Sequence, residues 1–146
     1  MIADRVFLDT NVLISAVLKE SPRYFHARGV LRRLLDCDCE VWVSRQVLRE
    51  LLAGLSRPQV FAQPLRAADT IAIAQEYEQQ FVVAEDHALV TQQLYLLLDK
   101  VPCGGKQVHD ANIVATMLAF DVPQLITYNV ADFQRFAGFI AVTSEI

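Results

Sequence analysis

Four acidic residues, Asp9, Glu50, Asp110 and Asp132, each stand at the edge of an otherwise apolar segment. Asp9 ends the run Val6-Phe7-Leu8. Glu50, in SRQVLRELLAGL, lies three residues from Val47 on the flank of a stripe made by Val47, Leu48, Leu51, Leu52 and Leu55. Asp110 opens a helical pattern after Gly104-Gly105, and Asp132 lies in LITYNVADF just beyond an apolar stretch. Each has an ordinary structural explanation. Asp9 caps a following helix, Glu50 packs its stem on the apolar stripe, Asp110 favours a helix dipole, and Asp132 makes a turn after Asn129. Taken together they suggest more, because clustered carboxylates repel one another unless a cation neutralises them. Hard oxygen donors without a His or Cys set favour Mg²⁺ or Mn²⁺ over zinc. Such centres assist phosphoryl chemistry by activating water and stabilising the leaving oxygen, often with two ions about 3.5–4 Å apart.

For these acids to meet, the chain must bring strand ends and helix starts to one edge. The pattern alternates strand-like with helical segments, as an α/β domain with a largely parallel sheet does. Val6 to Asp9 reads as the first strand, followed by a short helix from about Asn11 and a second over roughly Arg23 to Asp36. Glu40 to Val43 reads as a strand, and Ser44 is a good cap for a helix from Arg45 to about Leu55. Prolines at 58 and 64 mark a loop before a helix at about 66 to 80. Phe81 to Ala84 is a short strand, and Asp86 is the expected cap of a helix to Asp99. Pro102-Cys103-Gly104-Gly105 ends that helix. A further helix from about Gln107 to Phe120 puts Ala111, Ala115 and Leu118 on one face. Gln124 to Thr127 and Phe139 to Val142 are the last expected strands. Asp9 and Asp132 both follow strand ends, where open α/β sheets bind ligands.

The chain's 146 residues suit one domain, 1–146, with a real core. At 53% apolar and 21% charged, the composition excludes a disordered protein. No apolar run is long enough to span a bilayer, and MIADRVFLD lacks the features of a secretory leader, so a cytoplasmic location is expected. Cys37, Cys39 and Cys103 are odd in number, so free thiols are expected in place of disulfides. The short C-x-C spacing and the missing fourth ligand argue against zinc.

At this point the motifs converge on a known pattern. FLDTNVLIS, then VSRQVLREL, then VHDANIVATMLAFDVPQLITYNVADF together resemble the PIN-domain family, and in particular its VapC-like toxin ribonucleases. The likeness follows nearly the whole chain in order and spacing. It implies a three-layer α/β/α sandwich around a mostly parallel sheet, with Asp9, Glu50, Asp110 and Asp132 as the metal site. Asp9, Asp110 and Asp132 would hold the ion directly, with Glu50 as ligand or as the base that orients water. Thr127 and Asn129 match the polar positions beside the acids, and Asn11 matches a frequent neighbour of the first. The resemblance further implies a Mg²⁺- or Mn²⁺-dependent endoribonuclease leaving 5′-phosphate and 3′-hydroxyl ends. It also implies a homodimer and a small antitoxin partner whose tail covers the acidic pocket. The family's middle region is poorly constrained, so residues 56–100 inherit little.

Net charge is −4, from 17 acids against 13 lysines and arginines, which is unusual for a nucleic-acid binder. Setting the four acids aside leaves the rest of the chain neutral, so the acidic excess equals the expected site. Arg45, Arg49, Arg57 and Lys106 are candidate RNA phosphate contacts near the motifs, whereas His109 is read as structural. With no arginine stripe interleaved with aromatics, nonspecific RNA affinity should be modest and substrate choice should rest on shape and unpaired nucleotides. A haloacid-dehalogenase-type phosphatase also opens on strand-Asp but wants a second acid at the place of Asn11. A structure-specific DNA nuclease shares the site chemistry, and a non-cleaving PIN-like binding module is the alternative outside enzymes.

Overall fold

A computed structural model describes residues 3–146, so the first two residues of the expected 1–146 domain lie outside it. The sheet is built on the first strand, β1 (Arg5–Leu8), whose Val6, Phe7 and Leu8 are fully buried. An apolar run without polar alternation marks a strand covered on both faces. β1 pairs in parallel with β2 (Glu40–Ser44) on one side and β4 (Gln124–Ile126) on the other. β3 (Val82–Ala84) and β5 (Ala141–Thr143) form the edges, giving an all-parallel sheet of order β3-β2-β1-β4-β5.

The chain runs from β1 outward to β3, crosses back, and then runs outward to β5. The strand order therefore reverses between β1 and β4, which opens a crevice at their carboxyl ends. Between β1 and β2 lie α1 (Thr10–Val17) and α2 (Tyr24–Asp36), and between β2 and β3 lie α3 (Arg45–Leu55) and α4 (Ala67–Gln80). The crossing to β4 carries α5 (Ala88–Lys100) and α6 (Gln107–Ala119). α1 packs on α2 and α3, and α3 on α4, whereas α5 packs on α6. Right-handed crossovers place these two groups on opposite faces. The result is the expected PIN-like α/β/α sandwich.

Local chemistry explains most element boundaries. The Ser44 hydroxyl accepts the Val47 N–H at 3.2 Å and starts α3 as expected. Gly54 allows α3 to approach α1 closely, since a Cβ there would stand 2.5 Å from Ile14 Cδ1. Gly105 takes φ +59°, a left-handed turn that glycine adopts without strain, and α6 starts two residues later. Asp121 takes φ 55° just past α6, where the Val122 N–H bonds back to the Met117 carbonyl at 2.9 Å. This is a Schellman ending with an aspartate in glycine's usual place.

Several expectations need correction. The cap of α5 is His87, not Asp86: His87 Nδ1 accepts the Leu89 N–H at 3.2 Å. Cys37 and Cys39 form a disulfide, because the turn after α2 brings their Cα atoms to 5.5 Å, within bridging range. Only Cys103 is a free thiol, so the expectation of three was wrong. The segment after β4 is no plain loop but a short helix, α7 (Val130–Phe133), followed by a 3-10 turn over Gln134–Phe136. Phe139 and Ile140 bond back to the Phe136 carbonyl and close that turn, which delays β5 to Ala141.

The Asp121 geometry gives the first prediction. Asp121→Gly should stabilise the fold by about 0.5–1 kcal/mol, raising the urea midpoint at unchanged slope, and Asp121→Val should lower it.

Candidate metal centre at the carboxyl edge of the sheet

Asp9 stands at the carboxyl end of β1, and its N–H donates to the Ile126 carbonyl at 3.0 Å, which locks the ends of β1 and β4 together. It caps α1, accepting the Thr10 N–H on Oδ1 at 2.8 Å, but it is no solvated turn residue: only 6% of its surface is exposed. Its Oδ2 accepts the Thr127 hydroxyl at 2.7 Å and the Asn11 amide at 3.4 Å. Asn11 also donates to Thr127 Oγ1 and accepts the Tyr128 N–H at 3.1 Å. Asn11, Thr127 and Asp9 therefore form one network across the switch point, and the Asn129 N–H joins it by donating to Thr127 Oγ1.

Glu50 reaches the same edge from α3. Its Oε2 accepts the Thr10 hydroxyl at 3.1 Å, and its Oε1 accepts from Gln46 at 2.9 Å. Gln46, one turn earlier and 8% exposed, also donates to the His109 carbonyl and accepts from the Asn112 amide at 2.8 Å. A single buried amide thus ties α3 to α6 on either side of Asp110. Asp110 is half-buried in the first turn of α6. Asp132 lies in the first turn of α7, exposed, with its N–H on the Asn129 carbonyl. That backbone bond, and not the side-chain turn considered from the sequence, fixes its position.

The electrostatics link all four acids. Burial pushes the Asp9 carboxyl up to about 6; the bonds from Thr127 and Thr10 oppose this, and the charges of Glu50 and Asp110 add to it. Asp110 is also raised, first by burial, then by Asp132 and Glu50, against the opposing charges of Arg135 and His109. Among the described residues none of the four acids forms a salt bridge. No three Asp, Glu, His or Cys side chains among them converge as a ready-made ligand set either. The donor chemistry fits a hard divalent cation: oxygen ligands only, mutually repelling, and among the described residues not ion-paired to any basic side chain. Asp9, Glu50, Asp110 and Asp132 are the residues that could hold it.

Of the expected phosphate contacts, Arg45 is engaged elsewhere, bound by Glu78 and Glu85 on the surface. Arg49, Arg57 and Lys106 are exposed. Sequence reasoning missed Thr10, Gln46 and Asn112. Gln46 left a faint signal, four residues before Glu50 on the same helical face.

The doubly wound parallel sheet, with Asp9 buried at its switch point and Glu50 and Asp110 raising its carboxyl, places the chain among α/β proteins with an acidic crevice at the carboxyl edge. The PIN domain family matches residues 5–131, and the chain belongs to that family. Among curated proteins none matches. Among solved structures the chain is similar to VapBC-1 from nontypeable Haemophilus influenzae, with a TM-score of 0.68 and 18% identity over 94% of this chain and 96% of that one. It is similar to VapC20 of Mycobacterium tuberculosis, described as a sarcin-ricin loop cleaving toxin, with TM-score 0.67 and 18% identity over 93% and 96%. VapBC2 from Rickettsia felis, bound to a promoter DNA fragment, gives 0.66 and 20% over 95% and 98%.

Two predictions follow from the charge and from the amide. A carboxyl titrating near 6 instead of 3.8 stabilises the fold below the lower value, and that contribution is lost as pH rises through 6. Ionising Asp9 without a cation then costs on the order of 3 kcal/mol. Asp9→Asn should therefore raise the urea midpoint at pH 8 in EDTA and flatten its decline between pH 4 and 7. Gln46→Leu leaves the Asn112 amide without its acceptor and Glu50 without a donor, so it should lower stability by about 1–3 kcal/mol. It should also weaken Mn²⁺ binding, measured by electron paramagnetic resonance.

Proposed function

We propose that residues 1–146 form one PIN-like nuclease domain that hydrolyses RNA phosphodiester bonds with Mg²⁺ or Mn²⁺, and that it is the toxin of a type II toxin–antitoxin pair. The observation that carries this reading is that the acids at the carboxyl edge of the sheet raise one another's carboxyls and that, among the described residues, none of them forms an ion pair with a basic side chain. Two negative species, a carboxylate cluster and a phosphodiester, can meet there only if a cation lies between them. The bound ion would supply an activated water and stabilise the departing oxygen. Asp9 would be the rigid ligand, its carboxylate held by Thr127, Thr10 and Asn11. Glu50, oriented by Gln46 and Thr10, would bind the ion or hold the attacking water. Asp110 and Asp132 would complete the set from α6 and α7.

The VapBC complexes among the similar structures favour an antitoxin partner, VapC20, described as a sarcin-ricin loop cleaving toxin, favours RNA as the target, and the family resemblance adds a homodimer. No helix among the described residues is long and apolar enough to cross a membrane. The same chemistry would serve on DNA, so the substrates are compared directly. Purified protein incubated with RNA, single-stranded DNA and flap DNA should cut RNA with Mn²⁺ and not with EDTA. Asp110→Asn should lower the rate at least ~100-fold and Thr127→Val ~10-fold or more. Equal cutting by the parent and Asp110→Asn would refute the assignment, and preferential cutting of the flap would move it to a DNA nuclease.

A further inference from the structure

The residue between Thr127 and Asn129 carries a second arrangement at the same edge. Tyr128 is held at three points: its N–H by Asn11 Oδ1, its hydroxyl 2.7 Å from His26 Nδ1, and its ring beneath the Arg23 guanidinium at 4.3 Å. His26 is fixed in turn, with Nε2 3.0 Å from the Glu145 carboxylate. A carboxylate only accepts, so in the neutral ring Nε2 carries the hydrogen and Nδ1 takes the Tyr128 O–H. The tyrosine is thus anchored to α2 and to the segment after β5, and it shares Asn11 with the acidic network.

Arg5 pairs with Glu40, Arg45 with Glu78 and Glu85, and Arg66 with Asp69, whereas Arg23 has no carboxylate partner among the described residues. Arg28 also lies over a ring, that of Tyr24, but at 5.9 Å, so Arg23 makes the closer stack. Glu145, the nearest charged partner of this cluster, turns to His26. A guanidinium lying on an aromatic face keeps its N–H edge available, and that planar fork suits phosphate oxygens.

We infer that Arg23, laid on the anchored Tyr128 ring, is a phosphate-binding subsite that holds the RNA strand flanking the acidic centre. The inference rests on the RNA-cleaving reading above and deepens it. It answers a difficulty of that reading, because a neutral chain with an acidic pocket gains from fixed cations beyond Arg135, which faces Asp110, and Tyr128 joins Arg23 to the acidic network through Asn11. Tyr128 acts as a positioning residue: it sets the place of the charge without supplying any.

The test is fluorescence anisotropy with a short labelled single-stranded RNA and the Asp110→Asn chain, which binds without cutting, over a series of salt concentrations. Arg23→Ala should weaken binding about 5–10-fold and reduce the salt slope by about 0.7, the value for one single-strand phosphate contact. Tyr128→Leu keeps every charge, so it should weaken binding about 3-fold with the salt slope unchanged. Thermal melts of each variant confirm that the fold is kept. RNA binding by the parent with neither affinity nor slope altered in Arg23→Ala would overturn the subsite and leave the nuclease reading intact. A Tyr128→Leu chain equal to the parent would overturn the positioning role. No RNA binding by the parent at any salt would overturn both.

Discussion

A carboxylate buried at the end of a central strand destabilises the fold unless its charge is shared, and the architecture around Asp9 distributes that charge. The oxygens of Asp9 take hydrogens from Thr10, Thr127 and Asn11, which belong to the first turn of α1 and the end of β4. Because those donors come from both sides of the switch point, keeping Asp9 solvated by protein requires β1 and β4 to stay in register. The carboxyl is still raised to about 6, so three hydrogen bonds only partly offset burial and the neighbouring acids. The residual deficit is what a divalent cation would relieve, and the same deficit destabilises the chain without one.

The elements around this point work as supports of unequal stiffness. Asp9 and Glu50 are braced by buried, fully paired groups, and among the described residues no buried side-chain nitrogen or oxygen lacks a partner. Asp132 instead rides on a helix of four residues and is exposed. Asp132 therefore has less protein packed around its carboxylate than Asp9 or Glu50.

Much of this was legible in the sequence because the informative signals were local. Strand order along the chain, the Ser44 cap, the place of Asp9 just after β1 and that of Asp110 in the first turn of α6 follow from hydrophobic period and cap chemistry, which act over a few residues. The failures have identifiable physical causes. His87 displaced Asp86 as the α5 cap because an imidazole nitrogen can accept a backbone N–H as a carboxylate does. The helix α7 has a single turn, too short for any periodicity to reveal. The Cys37–Cys39 bridge was argued away from the cysteine count, a statistical reason that the geometry of one turn overrode. Arg45, read as a phosphate contact from its nearness to a motif, is paired with acids 33 and 40 residues away.

The contacts that orient the acids were the least legible, and for a reason inherent to them. Gln46 and Asn112 meet across 66 residues, Thr10 and Glu50 across 40, and Tyr128 and His26 across 102. No local pattern encodes such pairs, because each side chain alone is an unremarkable polar residue on a helix or strand end. Their value lies in satisfying one another once the sheet has brought their backbones together. An acid motif therefore specifies which ligands are present, while polar residues distant in sequence determine how firmly each is held. In this chain that second layer converges on Asn11, whose one amide serves Asp9, Thr127 and the Tyr128 backbone. The uncharged residue that disfavoured a phosphatase is also the joint between the acidic centre and the aromatic cluster beside it.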